Sequence, residues 1–303
     1  MQIYLPIAEI SVPAETIFIL GCTVGFLSGV FGVGGGFLTT PFLIFLGIPP
    51  AVAVGTQASQ LVASGMSGTI GHFKRGNVDV KIGGIMLCGG ILGSFIGIMI
   101  FRLLEYLGQI DFAVSFLYVI LLSSIGILML SESIFSGIKK KTVRSQFNSQ
   151  RMSPFIARLP YKMRFPRSKL YISALVPGGI GFVGGILASI LGIGGGFLLV
   201  PAMIYILGMS TILAAGTSLF QIIFTTAAAT IMHATMNNTV DIMLAVILIV
   251  GGVIGSQFGI YFARVIKPSH ARVILAILVL AVSIRLAFQL FVAPIDLYST
   301  VIG

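Results

Sequence analysis

Apolar runs of about twenty residues succeed one another along nearly the whole chain, parted by short polar or charged breaks. That is the length an α-helix needs to cross a bilayer core about 30 Å thick. The pattern predicts helical segments at roughly 14–33, 34–48, 51–73, 79–101, 111–135, 170–191, 194–208, 211–234, 240–264 and 270–292. Segments two and seven are short. Each opens at a triple glycine and contains a proline, Pro41 or Pro201.

The pattern is also duplicated. Gly32-Val-Gly-Gly-Gly-Phe-Leu-Thr-Thr-Pro41 returns as Gly192-Ile-Gly-Gly-Gly-Phe-Leu-Leu-Val-Pro201, 160 residues later. Gly47, Gly55-Thr56, Gln60 and His72 return as Gly208, Gly216-Thr217, Gln221 and His233, at an offset of 161. Asp79, Gly89-Gly90, Gly93-Ser94, Gly97 and Arg102 return as Asp241, Gly251-Gly252, Gly255-Ser256, Gly259 and Arg264, at 162. In a membrane chain, matching Gly/Pro-broken short segments in two halves point to a transporter with its site at the repeat interface. The expected fold is an all-α integral membrane protein of two inverted repeats, each of about five transmembrane segments. Residues 1–135 form the first repeat, 136–169 a basic loop and 170–303 the second repeat.

Composition agrees: 57% of residues are hydrophobic and 9% charged, against roughly 25% charged in a soluble domain. The net charge of +10 is concentrated, with ten of eighteen Lys and Arg between Lys139 and Lys169. No aromatic interleaving accompanies them, so the reading is a cytoplasmic loop able to meet anionic lipid, with no nucleic-acid partner. With five crossings per half, Lys74, Arg75 and Lys81 fall on that same side, as do Arg264, Lys267 and Arg272. The intervening turns at 102–111 and 234–241 carry little positive charge and face outward. The first thirty residues lack a basic start and a small-residue cleavage site, so a retained N-terminus is expected. Cys22 and Cys88 both lie in apolar segments and read as packing.

Three groups carry candidate chemistry. Gly34, Gly35 and Gly36, with Gly194, Gly195 and Gly196, open helices whose free N–H groups and dipoles suit an anion. Tight helix packing is the plainer account of glycine in membranes. Thr56, Gln57, Ser59 and Gln60 in segment three, and Thr217, Ser218 and Gln221 in segment eight, are polar groups that must turn away from lipid. Thr56 and Gln60 share a helical face, as do Thr217 and Gln221. His72 and His233 are candidates for a proton-coupling role, with an interfacial position as the simpler reading. Arg285 lies inside the last segment, aligned with Ser123 of the first half. Asp79 and Asp241 begin segments four and nine and read as helix caps. No metal site, cofactor or nucleophile–base constellation is expected.

At these motifs the chain resembles the sulfite exporter TauE/SafE family of bacterial membrane permeases. The resemblance rests on the G-x-G-G-G-F-x-x-x-P segments at 32–41 and 192–201, with Gly55-Thr56, Gln60, Gly216-Thr217 and Gln221. It spans about residues 14–292, outside the basic loop. It implies an inner-membrane transporter of a small sulfur-containing anion, sulfite or an organosulfonate such as sulfoacetate, acting as an exporter. An anion channel, or a permease for another small anion, is the alternative. Expected partners are the anion, membrane lipids and, as an open option, further copies in a homo-oligomer. Thr39-Thr40 facing Leu199-Val200, and Ser59 facing Phe220, predict an asymmetric site.

Overall fold

A computed structural model describes residues 2–31, 36–138, 160–262 and 268–291. Ten α-helices dominate it. In the first half they are α1 (Ala14–Phe31), α2 (Gly36–Phe45), α3 (Pro50–Lys74), α4 (Val80–Tyr106) and α5 (Ile110–Ile138). In the second they are α6 (Leu175–Leu191), α7 (Gly196–Tyr205), α8 (Thr211–Met232), α9 (Ile242–Phe262) and α10 (Pro268–Phe291). The apolar periodicity therefore located every α-helix among the described residues. It misread the start of the sixth segment, where Leu170–Ser173 is a strand.

Each half opens with an antiparallel hairpin that the apolar pattern did not predict. Strands β1 (Gln2–Leu5) and β2 (Ile10–Pro13) precede α1, and β3 (Lys162–Phe165) and β4 (Leu170–Ser173) precede α6. Their registers match at an offset of 160, with Leu5 opposite Ile10 and Phe165 opposite Leu170. Four-residue strands are too short for alternation to stand out.

The halves exchange a helix. The fourth helix of each half packs along the first helix of the other, α4 on α6 and α9 on α1, while α3 packs on α8 and α5 on α10. Glycine makes the exchanged pairs close. A Cβ at Gly93 would overlap the carbonyl oxygen of Phe182, and one at Gly255 that of Cys22. Dispersion between near-touching backbones holds such helices where lipid removes the hydrophobic drive.

Two apolar clusters repeat the same unit. One joins Leu5, Val12, Leu43, Ile48, Val52 and Ala53 to Leu244 and Leu248 of α9. The other joins Phe165, Ile172, Met203, Met209 and Ala214 to Ile82 and Met86 of α4. The first cluster holds the N-terminal end of α3, whereas Asp79, just past its C-terminal end, binds the second hairpin. At 1.5 Å per residue α3 is about 37 Å long, so the two hairpins lie at its opposite ends.

The drifting offset has structural causes. One residue, Leu46, separates α2 from Gly47, whereas Ile206 and Leu207 separate α7 from Gly208, and both glycines take positive φ. The second extra residue is absorbed by a π-helical turn, His233–Asn237, after α8. Single π turns are how helices accept insertions.

Among the described residues, five helices are long and apolar enough to span a membrane, within Val80–Tyr106, Ile110–Ser131, Thr211–Asn237, Ile242–Gly259 and Val273–Phe291. Their outward faces bear Leu92, Ile127, Leu128, Ile277 and Phe288, uncovered by protein as a lipid-facing surface must be. Helix α3 has the length, but Thr56, Gln57, Ser59 and Gln60 lower its hydropathy. At ten residues each, α2 and α7 extend about 15 Å, half of a bilayer core. Segments two and seven, whose crossing the sequence leaves open, are thus half-length helices set apart from the full spans.

Candidate functional site

The two half-length helices start close together in the interior. Phe37 and Phe197, the residues that follow the triple glycines, stack with ring centroids 4.2 Å apart and planes 6° from parallel. They are equivalent at the 160 offset, so they mark the axis relating the halves. Leu61 of α3 fills the space beside both breaks: a Cβ at Gly36 or at Gly194 would lie 2.7 or 2.8 Å from its Cδ1. Gly194 and Gly195 have φ of 69° and 75°, where a side chain would be strained. Gly34 and Gly35 lie outside the described residues, while Gly36 and Gly196 are buried helix starts. Four residues on, Pro41 and Pro201 lack the N–H that would bind the carbonyls of Phe37 and Phe197. The breaks thus combine two buried helix N-termini, prolines that leave a carbonyl without its usual helical donor, and a stacked aromatic pair.

The polar residues of α3 and α8 divide by what already binds them. Thr56 Oγ1 accepts from the backbone N–H of Asp241 at 3.0 Å, and Thr217 Oγ1 accepts from that of Asp79 at 3.0 Å. These equivalent bonds tie each half to the other. Ser59 and Ser218 donate back to the carbonyls of Thr56 and Ala215 on their own helices. Gln60 Nε2 donates to the carbonyl of Leu248 at 3.1 Å. A carbonyl can only accept, which fixes the orientation of that amide. Its Oε1 is buried without a partner, as are Oε1 of Gln57 and Oε1 of Gln221. Leaving a buried acceptor unpaired costs about 1–3 kcal/mol, and these oxygens share that state with Thr40 Oγ1, Thr69 Oγ1, His72 Nδ1, Ser189 Oγ and Asn237 Oδ1.

The two glutamines occupy equivalent junctions. Gln60 lies against Gly252 of α9, and Gln221 against Gly90 of α4, where added Cβ atoms would collide with their amides. Each therefore reaches from the third helix of its own half to the exchanged helix of the other.

The ionisable candidates part company. His233 is fully buried, with Nε2 2.9 Å from the Ser189 carbonyl, which requires a proton on Nε2. Its Nδ1 then accepts from Asn237 at 3.2 Å and Thr239 at 3.4 Å, and Phe101 meets the ring edge-on. This is a saturated neutral imidazole. His72 is half-buried, and its Nδ1 has no partner. Arg285 is exposed on α10 with its guanidinium 4.2 Å from the centre of the Phe45 ring, away from the helix breaks. Ser123 meets not Arg285 but Ser283, at 2.7 Å.

Asp79 and Asp241 do more than cap. Asp79 Oδ1 accepts from the N–H groups of Lys81 and Ile82, and its Oδ2 accepts from the N–H and hydroxyl of Ser168 in the second hairpin. Asp241 Oδ1 accepts from Leu244 N–H and its Oδ2 from Ile7 N–H in the first hairpin. Only the repeated Pro6 and Pro166 hinted at these hairpins in the sequence.

With this arrangement in view, comparison with known proteins is decisive about kinship. The family model described as sulfite exporter TauE/SafE matches residues 17–286. The chain belongs to that family. It is 26% identical over 279 residues to the probable membrane transporter protein YunE of Bacillus subtilis, covering 89% of this chain and 96% of that one. A probable membrane transporter protein of Xylella fastidiosa is 30% identical over 273 residues, covering 89% and 93%. YjnA of B. subtilis, also a probable membrane transporter protein, is 29% identical over 276 residues, covering 89% and 98%. No solved structure matches the chain. This TauE/SafE member is a multi-pass integral membrane protein of a transporter family, and its interior is the place to look for the transported species.

Proposed function

We propose that this protein is a secondary transporter that moves a small sulfur-containing anion, sulfite or an organosulfonate such as sulfoacetate, out across the inner membrane. The observation that carries the reading is the meeting of two half-length helices at Phe37 and Phe197. Their N-termini bring first-turn N–H groups and positive dipole ends into an apolar body. Gln60 and Gln221 reach the exchanged helices α9 and α4 from opposite halves. An oxyanion seated between the helix starts requires the stacked rings to part. The ring stack between the two helix starts favours alternating access over an open channel. The hairpins at opposite ends of α3 lead into α1 and α6, consistent with inverted halves that rock against each other. Positive charge at 74–81 and 139–169 favours a cytoplasmic position for that end.

The test is thermal unfolding of the purified protein with sulfite, sulfate, sulfoacetate, isethionate, taurine, acetate and phosphate at matched ionic strength. A ligand bound only by the folded state adds about 2.7 kcal/mol at a hundred times its dissociation constant. Sulfite or a sulfonate is expected to raise the unfolding temperature selectively. An unchanged temperature with every anion would remove the sulfur-anion assignment.

A further inference from the structure

We propose that one end of the molecule is an anion-collecting platform that speeds loading of the transporter from that side. The inference rests on the oxyanion reading above and adds the side of capture and the groups that achieve it. Two segments far apart in sequence build the platform. The turn between α3 and α4 exposes Lys74, Arg75 and Lys81, and hairpin β3–β4 exposes Lys162, Arg164 and Lys169. The two segments touch: a Cβ at Gly76 would lie 3.1 Å from Arg167 Nη2. Asp79, between them, is 2% exposed and has both carboxylate oxygens committed to hydrogen bonds. It fastens the hairpin in place and leaves the field of the cations largely uncancelled at the surface.

The equivalent surface at the other end is built alike and charged differently. Hairpin β1–β2 and its turn carry Glu9 and no Lys or Arg, and the turn 233–241 carries none either. Both hairpins sit over the outer end of their half-length helix, Phe165 and Ile172 beside Met203 and Met209, Leu5 and Val12 beside Leu43 and Ile48. Each end therefore lies about 15 Å from the helix start at the axis. The fold offers two equivalent end surfaces, and only one clusters exposed cations. Clustered like charge at a low-dielectric boundary raises local anion concentration and on-rate by about ten- to a thousandfold at low salt. The effect fades as the screening length shrinks from about 30 Å at 0.01 M to about 3 Å at 1 M salt.

The decisive measurement is initial sulfite flux in vesicles of neutral phosphatidylcholine, comparing the full chain with the triple variant Lys162→Gln, Arg164→Gln, Lys169→Gln. Protection of Arg167, retained in both chains, from added trypsin gives the orientation. These side chains are exposed, so folding is preserved, and equal unfolding temperatures check it. Loading from the basic side is expected to fall about tenfold in the variant at low salt, through KM and not kcat. The loss should vanish at high salt, and loading from the other side should not change. Equal salt dependence in both chains and both directions overturns the platform. So does a loss that occurs only in vesicles containing anionic lipid, since the cations then serve headgroup phosphates. A wild-type chain that carries no oxyanion from either side sinks the transport reading itself, and the platform with it.

Discussion

Hairpins β1–β2 and β3–β4 hold equivalent places, each fastened by a carboxylate from the other half, yet they differ in how firmly they are held. Asp79 accepts from two N–H groups of its own helix and from both the N–H and hydroxyl of Ser168. Asp241 accepts from one N–H of its helix and one, that of Ile7, in the first hairpin. The histidines diverge the same way, since His233 is saturated beneath a π turn and His72 is half open. Duplication preserved the backbone contacts that make the halves fit. It released side chains at the rim to differ, because an exchanged helix must be matched by its partner whereas a rim residue need not be.

The strongest way to break this comparison is at the exchanged helices, where the halves should behave alike. Gly93→Ala and Gly255→Ala each drive a methyl group into a backbone carbonyl, of Phe182 or Cys22. A rigid neighbour cannot yield, so each substitution should destabilise by about 3 kcal/mol, at the upper end of overpacking. Unfolding in detergent measures both. A large loss at one position and none at the other would show that the exchanged pairs are not equivalent.

The carboxylates come next and should separate the halves. Asp79→Ala strands three N–H groups and a hydroxyl, Asp241→Ala two N–H groups. At about 1–3 kcal/mol for each buried donor left unpaired and able to recover water in part, Asp79→Ala should cost about 3 kcal/mol and Asp241→Ala about 2 kcal/mol. Trypsin offers a local readout, because loosening β3–β4 exposes Arg164, Arg167 and Lys169 to cleavage. Faster cleavage in Asp241→Ala than in Asp79→Ala would contradict the assignment of Ser168 to Asp79.

Helix positions were legible because lipid imposes long apolar runs, and the repeat was legible because glycine contacts tolerate no substitute. Gly93 and Gly255 recur for that reason. The hairpins were not legible: their buried residues, Leu5 and Val12 against Phe165 and Ile172, conserve only apolar character, over strands too short to show a period. For the candidate site, sequence spacing located Thr56, Gln60, Thr217 and Gln221 on the interior faces of α3 and α8. It could not reveal that both threonines are committed to Asp241 and Asp79, since those partners lie 185 and 138 residues away. Nor could it foresee the Phe37–Phe197 stack, because phenylalanine in a membrane segment is unremarkable until its neighbour is known.

The smallest effect on stability is expected at the glutamines, and it sharpens the functional question most. Gln60→Met and Gln221→Met keep the length of the side chain and remove a buried oxygen that has no partner. Gln60→Met also removes the bond to Leu248, worth about 1 kcal/mol, but relieves an unpaired acceptor costing about as much. The net change should lie within about 1 kcal/mol of zero for either variant. If these amides complete the anion site, both variants should lose the sulfite- or sulfonate-induced rise in unfolding temperature while keeping the wild-type temperature without ligand. Loss in only one variant would assign binding to one half and make the other glutamine a packing residue. Retention of the full shift in both would leave the helix starts and their N–H groups to bind the anion unaided.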